Sequence, residues 1–344
     1  MYNQKDVSKS ERSYYFMDSL IFAFNAVAPI IIMVAIGYIL KKTGMMNADF
    51  SKMANRLVFH LFLPVMLFYN VYKIEDIGGV NLGYIGYALC ALLVLFAISI
   101  PVVLIVTKKR ECRGVLIQGA FRSNYALIGI PLAASLFGEE GARVASLLSA
   151  VAIPAFNVLA VISLSVFKEG KTRTSVKKIL LEIIKNPLIQ GVAAGLAVLL
   201  IRLVFVKFGI AFRLTDITPL EKVLTYLSNL ATPTALLVLG AQFEFSAVAS
   251  LKKEIICGTV MKTVLAPLLG LGGAYLLFRG SFTGAHFAAF VAMFTTPIAV
   301  SSVPMAQEMD GDATLAGQLV VWTTFACALT VFLASYLLKV AGIF

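Results

Sequence analysis

Residues 83–106 read GYIGYALCALLVLFAISIPVVLIV, a run without a charged side chain, and the basic triplet Lys108-Lys109-Arg110 follows after one threonine. An apolar run of about 20 residues is the length that an α-helix needs to cross a bilayer. Similar runs recur along the chain of 344 residues, of which 60% are hydrophobic and 14% charged. Soluble domains carry roughly a quarter charged residues, so this composition predicts an all-α polytopic membrane protein.

Ten such runs are predicted to be transmembrane helices, which we call spans 1 to 10. They cover residues 20–40, 53–71, 83–106, 114–137, 143–167, 187–206, 223–243, 255–278, 286–305 and 313–338. The chain then divides into four parts. These are a polar N-terminal segment (1–19), a first group of five spans (20–167), a basic linker (168–186) and a second group of five spans (187–344).

Lysine and arginine are unevenly distributed over the predicted loops. The loops between spans 1 and 2, 3 and 4, and 5 and 6 carry several basic residues, whereas Lys73 and Arg279 are alone in theirs. The positive-inside rule places the basic loops in the cytoplasm, which predicts that both termini are extracellular. Because the basic residues lie in these short loops, the net charge of +11 does not indicate nucleic-acid binding.

The two halves share spacings of proline and glycine. Pro29 precedes Gly37 by eight residues in span 1, and Pro187 precedes Gly195 by eight residues in span 6. Spacings also correspond between spans 2 and 7 and after spans 4 and 9. Five spans per half is an odd number, so a repeat requires the second half to be inverted, an arrangement typical of secondary transporters. The alternative is coincidence among 11 prolines and 25 glycines.

Spans 4 and 9 contain helix breakers and small polar residues near their middles. Residues 119–131 read GAFRSNYALIGIP, and residues 293–304 read MFTTPIAVSSVP. Broken helices in a membrane line cavities, and their half-helix N-termini present positive dipole ends to anions. The predicted substrate site is therefore Ser123, Asn124, Thr295, Thr296 and Pro297. The alternative is a kinked helix whose hydroxyl groups bond to its own backbone.

Ionisable side chains within spans are further candidates for the site. Arg122, Lys262 and His60 lie seven to nine residues from the predicted cytoplasmic ends, and no Asp or Glu lies in the middle of a span. A positively biased cavity suits a carboxylate substrate. The alternatives are snorkelling of Arg122 and Lys262 to the membrane surface, and a hydrogen bond from His60 to a neighbouring helix.

Other chemistry has little support in the sequence. Four cysteines and two histidines show no spacing of a disulfide framework or a metal site, and no cofactor motif occurs. No nucleophile has a base nearby, so an enzyme is not expected. The pair Gly191 and Gly195 is a small-residue packing motif that marks either a tight helix contact or a dimer face.

Several of these segments resemble the auxin efflux carrier family of permeases. They include RLVFHLFLP (56–64), RSNYALIGIP (122–131) and ATPTALLVLG (231–240), and the similarity extends over about residues 20–340. The resemblance implies ten helices in two inverted repeats, with helices 4 and 9 broken and crossed. It also implies a homodimer in the cell membrane, with a scaffold of helices 1, 2, 6 and 7 and a moving part of helices 3–5 and 8–10 that works as an elevator.

The resemblance also suggests substrates. Plant members export auxin and bacterial members are linked to malate, malonate and similar carboxylates. Asn124 and Pro297 match the family's crossover residues, and Lys262 matches a basic position in helix 8. The plant motif Asn-Pro-Asn is Arg122-Ser123-Asn124 here, and the long plant loop is absent, which favours a carboxylate permease. Alternatives are a sodium- or proton-coupled transporter of the related bile-acid type and a membrane sensor without transport.

Overall fold

The computed structural model describes residue 25 and residues 28–74, 82–168 and 176–344. Within these ranges the chain is helical with no β-sheet, which confirms the all-α prediction for them. The helices are α1 (28–42), α2 (Ala48–Tyr72), α3 (Leu82–Val106), α4 (Arg110–Phe121), α5 (Tyr125–Val166), α6 (Val176–Lys185), α7 (Pro187–Lys207), α8 (Thr218–Gln242), α9 (Lys252–Phe278), α10 (Gly284–Thr295), α11 (Ser302–Glu308) and α12 (Ala313–Val340).

Seven of these helices are long and apolar enough to cross a membrane, namely α2, α3, α5, α7, α8, α9 and α12. Their outer faces carry large apolar side chains. Ile105 at the end of α3 is 85% exposed and Leu276 on α9 is 79% exposed. A soluble protein would leave such faces open to aggregation, whereas lipid solvates them.

Capping side chains fix the beginnings of three helices. The Phe50 N–H donates to Asn47 Oδ1 at the start of α2 (2.8 Å), and the Leu188 N–H donates to Asn186 Oδ1 at the start of α7 (3.0 Å). Asp312 accepts a similar bond at the start of α12. These side chains satisfy backbone donors that the first helical turn leaves without an internal partner.

Two helices begin five residues earlier than the apolar runs predict. Span 2 is predicted from residue 53, but α2 begins at Ala48, and span 7 is predicted from residue 223, but α8 begins at Thr218. The first turn of each helix is polar, so apolar runs do not include it. Residues 1–19 lie outside the described part of the chain.

The predicted basic linker, residues 168–186, contains a helix that apolar runs do not reveal. Helix α6 has the sequence VKKILLEIIK, in which basic and apolar residues alternate around the helix. Such a segment is too polar for a membrane span and too regular for a loop.

Helix α5 contains a break between a short first part, residues 125–137, and a longer second part, residues 139–166. Phe137 and Gly138 have non-helical backbone angles, and Gly138 has φ of +60°. That left-handed conformation suits glycine because it has no Cβ. The break coincides with the predicted end of span 4 at residue 137.

Glycines allow two helix pairs to approach closely. A Cβ on Gly37 of α1 would overlap the Leu237 carbonyl of α8, and a Cβ on Gly240 of α8 would overlap the Val34 carbonyl of α1. Likewise, Gly191 and Gly195 of α7 lie against the backbone of α2. The second pair therefore makes a tight contact within the chain, the first of the two interpretations drawn from the sequence.

Candidate functional site

Two non-helical segments meet where α4 and α10 end. Helix α4 ends at Phe121, and residues 122–124 are non-helical before the helix resumes at Tyr125. Helix α10 ends at Thr295, and residues 296–301 are non-helical before α11. The Asn124 N–H donates to the Pro297 carbonyl oxygen at 2.8 Å. Ser123 and Ile298 form an antiparallel bridge. We call residues 122–124 and 296–298 the crossing.

The crossing gives partners to backbone groups that the broken helices release. The Ile298 N–H donates to Thr323 Oγ1 of α12 at 3.2 Å. The Asn124 carbonyl accepts bonds from the N–H groups of Ile128 (3.0 Å) and Gly129 (3.3 Å), which form a wide first turn of the next helix. In an apolar environment each released group needs such a partner. The two helices are therefore fully interrupted rather than kinked.

Two predicted site residues bond to their own helix. The Thr295 hydroxyl donates to the Val291 carbonyl, and the Thr296 hydroxyl donates to the Ala292 carbonyl, both at 2.7 Å. This bonding one turn back was part of the kinked-helix alternative. The oxygens of these hydroxyl groups keep lone pairs, but their protons are engaged.

Arg122 is buried at the crossing, with 3% of its surface exposed. One guanidinium nitrogen donates to Gln118 Oε1 (3.2 Å) and Met305 Sδ (2.8 Å). The other donates to Asn157 Oδ1 and Ser301 Oγ, both at 2.9 Å. The side chain thus ties α4 to α5 and to the segment before α11, and it does not snorkel to the surface.

Lys262 is fully buried on a wide turn of α9, residues 261–265. Its ammonium group donates to Ser123 Oγ, and the Ser123 hydroxyl donates to the Met293 carbonyl near the end of α10. Among the described residues no carboxylate pairs with Lys262 or Arg122. A buried charge without a counter-charge costs several kcal/mol, so an anion at the crossing would be favoured by both side chains.

A third buried cation, Arg202, bonds to backbone carbonyl groups that do not belong to the crossing. Arg202 of α7 donates to the carbonyl oxygens of Tyr72 and Ile74, at the C-terminal end of α2. A cation is favourable at that end of a helix dipole.

The buried carboxylate among the described residues, Glu254, lies in the first turn of α9 and accepts a bond from Thr107 Oγ1 at 2.8 Å.

Polar atoms without partners also lie at the crossing. Asn124 Nδ2 and, four residues after Ile298, Ser302 Oγ are buried and have no hydrogen-bond partner in the described part of the chain. Asn124 immediately precedes the helix that begins at Tyr125, whose N-terminus carries a partial positive charge. An unfilled donor at this position fits a ligand that accepts hydrogen bonds.

The structure brings most of the predicted site residues together. Arg122, Ser123, Asn124, Lys262 and the segment 295–297 all lie at the crossing. His60 does not join them, because its ring is exposed on α2 and its Nδ1 lies 3.1 Å from the Arg56 carbonyl of the same helix.

The sequence did not single out four neighbours of the crossing. Gln118 and Asn157 accept bonds from Arg122. Thr323 accepts a bond from the Ile298 N–H, and Ser302 lies four residues after Ile298. Asn157 is the lone asparagine of the apolar span 5, and this is the local signal that identifies it. The remaining residues are of types that occur throughout membrane helices.

A cavity of about 420 Å³ opens between α2 and α5. It is lined by Asn70 of α2, by Lys73 directly after α2, and by Arg143 of the later part of α5. Ala126 and Ile130 also line it, and they belong to the helical turns that follow Asn124 directly. The cavity thus runs alongside the half-helix that begins at the crossing, and its lining includes two basic residues.

Known proteins are similar to this chain over most of its length. A family described as "Membrane transport protein" matches residues 22–335. An uncharacterized transporter of Methanothermobacter thermautotrophicus is 22% identical over 305 residues, which are 87% of this chain and 93% of the relative. An uncharacterized transporter of Methanocaldococcus jannaschii is 27% identical over 225 residues, 63% of this chain and 67% of the relative.

Proposed function

The chain belongs to the auxin efflux carrier family of membrane transport proteins and is a multi-pass membrane protein, and from this premise we propose that it transports small organic anions. The proposed substrates are carboxylates of the malate or malonate type, and the proposed location is the cell membrane. The mechanism is secondary transport by alternating access.

The observation that carries this proposal is the pair of buried cations at the crossing. Arg122 and Lys262 are almost completely buried and have no carboxylate partner among the described residues. Their desolvation is unfavourable, and a bound anion would offset part of that cost. A cation would be repelled by the same two side chains.

The substrate carboxylate would lie at the break of span 4. There the unpartnered Asn124 amide and the N-terminus of the helix from Tyr125 offer hydrogen-bond donors. Ser123 would line the site beside Asn124, and the Thr295–Pro297 segment would shape it from the other strand of the crossing. Lys262 would contact the anion, and Arg122 would contribute charge, since its nitrogens are already bonded to protein atoms.

We propose that the fold consists of ten spans in two inverted repeats, residues 20–167 and 187–344. The reciprocal contacts support this. Span 1 packs through Gly37 on span 7, and its proposed counterpart, span 6, packs through Gly195 on span 2. This is the relation that exchanging the repeats would generate. Both termini would be extracellular, and the protein would be a homodimer, as in related permeases.

Alternating access would be an elevator-like motion. Spans 1, 2, 6 and 7 would form a fixed scaffold, and spans 3–5 and 8–10 would form a transport part that carries the crossing. The cavity between α2 and α5 lies between these two parts. The substrate would approach the crossing along it, past Lys73 and Arg143.

A cation-coupled transporter of the bile-acid type remains the alternative. It would require oxygen ligands such as carboxylates near the broken helices. The buried carboxylate of the described chain, Glu254, lies at the start of α9 and bonds to Thr107. Carboxylate uptake into proteoliposomes that is unchanged when sodium is replaced by choline would exclude sodium coupling.

A thermal-shift screen of the purified protein tests the substrate class. The ligands are C3–C6 mono- and dicarboxylates and indole-3-acetate, each at increasing concentration. A ligand at 100 times its Kd stabilises the folded state by about 2.7 kcal/mol. We expect at least one carboxylate to raise the Tm of the wild type and of Asn229→Ala, an exposed asparagine on α8, but not of Asn124→Ala. A shift with sodium or an organic cation alone would contradict the proposal.

A further inference from the structure

Helix α6 presents three different faces. Ile183 is half-buried and packs against the hydrophobic core. Leu180, Leu181 and Ile184 form an apolar face that is 54%, 49% and 66% exposed. Positions 178, 182 and 185 follow on the next side of the helix, where Lys178 and Lys185 are exposed. The helix therefore has one face for the protein, one apolar face that no described residue covers and one charged face.

The position of α6 fixes what can cover its apolar face. The helix ends at Lys185, and the membrane helix α7 begins at Pro187. Gln190 Nε2 of α7 donates to the Ile184 carbonyl at 3.1 Å, and Asn186 caps α7. The end of α6 is thus attached to the point where α7 begins its passage through the bilayer. An exposed apolar face at that level is continuous with the lipid-facing surface of the membrane helices.

We infer that α6 is an interfacial helix that binds anionic phospholipid. Leu180, Leu181 and Ile184 insert among the acyl chains at the membrane surface, and Lys178 and Lys185 contact headgroup phosphates. Lys177 lies one turn before Leu180 and Leu181 on the same side of the helix, and its long side chain extends from that face to the phosphates. Glu182 shares the charged face, so the helix keeps a net positive charge of three lysines against one glutamate.

The observations favour lipid over a second protein as the occupant. The apolar face consists of three side chains, whereas a stable protein interface needs about 800 Å² from each partner. Lysines flank the face at both ends, which matches a sheet of phosphates above an apolar layer. A bilayer also covers the neighbouring helices in any case, so α6 needs no additional partner.

Spin labels measure whether the apolar face lies in lipid. The labels are placed singly at Ile184→Cys and Lys178→Cys in a Cys90→Ser background, since Cys90 is the exposed native thiol among the described residues. The protein is reconstituted in nanodiscs of phosphatidylcholine with phosphatidylglycerol. We expect the label at residue 184 to be accessible to oxygen and protected from a water-soluble nickel chelate, and the label at 178 to show the reverse. A label at 184 that is open to the chelate, or shielded from both reagents, overturns the inference.

Thermal unfolding measures whether the lysines recognise anionic headgroups. The Tm is compared between nanodiscs with and without phosphatidylglycerol for the wild type, Lys177→Gln/Lys178→Gln and the charge-retaining control Lys177→Arg/Lys178→Arg. We expect phosphatidylglycerol to raise the Tm of the wild type and the control, and the glutamine variant to lose at least half of that rise. An equal rise in all three proteins contradicts headgroup recognition by α6. Neither measurement depends on which substrate is transported.

Discussion

Arg122 and Lys262 carry the same charge into the same buried region, but the protein surrounds them differently. Arg122 donates to four acceptors on three segments, so its guanidinium holds the chain in place. The Lys262 ammonium has three hydrogens, and the described structure gives it one partner, Ser123. Lys262 therefore keeps hydrogen-bonding capacity for a ligand, and Arg122 keeps little.

Lys262→Met removes that charge while it keeps a side chain of similar length. Because the lysine is buried without a counter-charge, the free energy of unfolding should stay equal or rise by about 1–4 kcal/mol. Carboxylate affinity should fall at least tenfold, about 1.4 kcal/mol, as measured by ligand titration of the Tm. Lys253→Met, an exposed lysine on the same helix, should leave both quantities unchanged. Unaltered affinity in Lys262→Met would exclude a ligand contact.

The crossing residues were predictable individually because prolines and small polar groups are unusual in the middle of an apolar run. Their contacts were not. Depth along a span does not decide which side of the helix a residue occupies. His60 and Lys262 were placed at similar depth, yet one is exposed and the other is fully buried. Asn157 was missed because its partner, Arg122, lies 35 residues away in the chain.

At the scale of helices, close packing rests on positions where a side chain would not fit. The contact of α1 with α8 and that of α2 with α7 both bring backbone against backbone. In lipid, such contacts gain van der Waals energy without a hydrophobic contribution, so small residues decide which helices associate.

Gly240→Val tests whether the contact between α1 and α8 depends on a small residue. The new side chain would overlap the Val34 carbonyl, so α1 must move away from α8. Overpacking typically costs about 1–3 kcal/mol, and we expect a lower Tm in the same detergent. Gly86→Val on α3 is the matched control, because nothing lies within 4 Å of a Cβ at that position. Equal Tm values for the two variants would show that the α1–α8 contact contributes nothing to stability.

The helices themselves were largely predictable, since apolar runs of membrane length leave the backbone little alternative to helix. The errors occur at segments that are helical although they are polar. The first turns of α2 and α8 are polar but helical, and α6 contains three lysines and a glutamate among its leucines and isoleucines. A search for apolar runs overlooks all three, whereas capping residues and a helical period would have indicated them.

At the scale of the whole molecule, a polar contact joins the proposed scaffold to the proposed transport part. Gln242 Nε2 at the end of α8 donates to Gln307 Oε1 of α11 at 3.1 Å. On the proposed division, α8 belongs to the scaffold and α11 to the transport part. This contact lies across the boundary that an elevator motion must open, whereas the bonds of Arg122 lie within the transport part.

Gln242→Cys/Gln307→Cys is expected to report that motion. A short bifunctional thiol reagent would join the two units, and carboxylate uptake into proteoliposomes should fall at least tenfold, because an elevator cannot move against a covalent tie. Each single variant, treated with the same reagent, controls for modification alone. Full uptake in the cross-linked protein would rule out relative motion at this boundary.

The arrangement of helices was less accessible to sequence than the helices themselves. Proline and glycine spacings suggested two related halves but did not indicate that α1 contacts α8 or that α2 contacts α7. Those contacts join residues far apart in the chain, and no local pattern encodes the partner. The glycines indicate that something approaches closely, without indicating which helix does so.

The crossing also has a consequence for how the protein is made. The Ser123 hydroxyl bonds to a carbonyl 170 residues further along the chain. At synthesis rates of about 5–20 residues per second, the first strand of the crossing waits roughly 10 to 30 seconds for the second. During that interval the backbone at 122–124 is in the membrane without its native partners, which lipid does not replace. Until the second half arrives, the nascent first half must therefore satisfy this backbone in another way. The segment either forms a continuous helix, or stays near water, or lies against the insertion machinery.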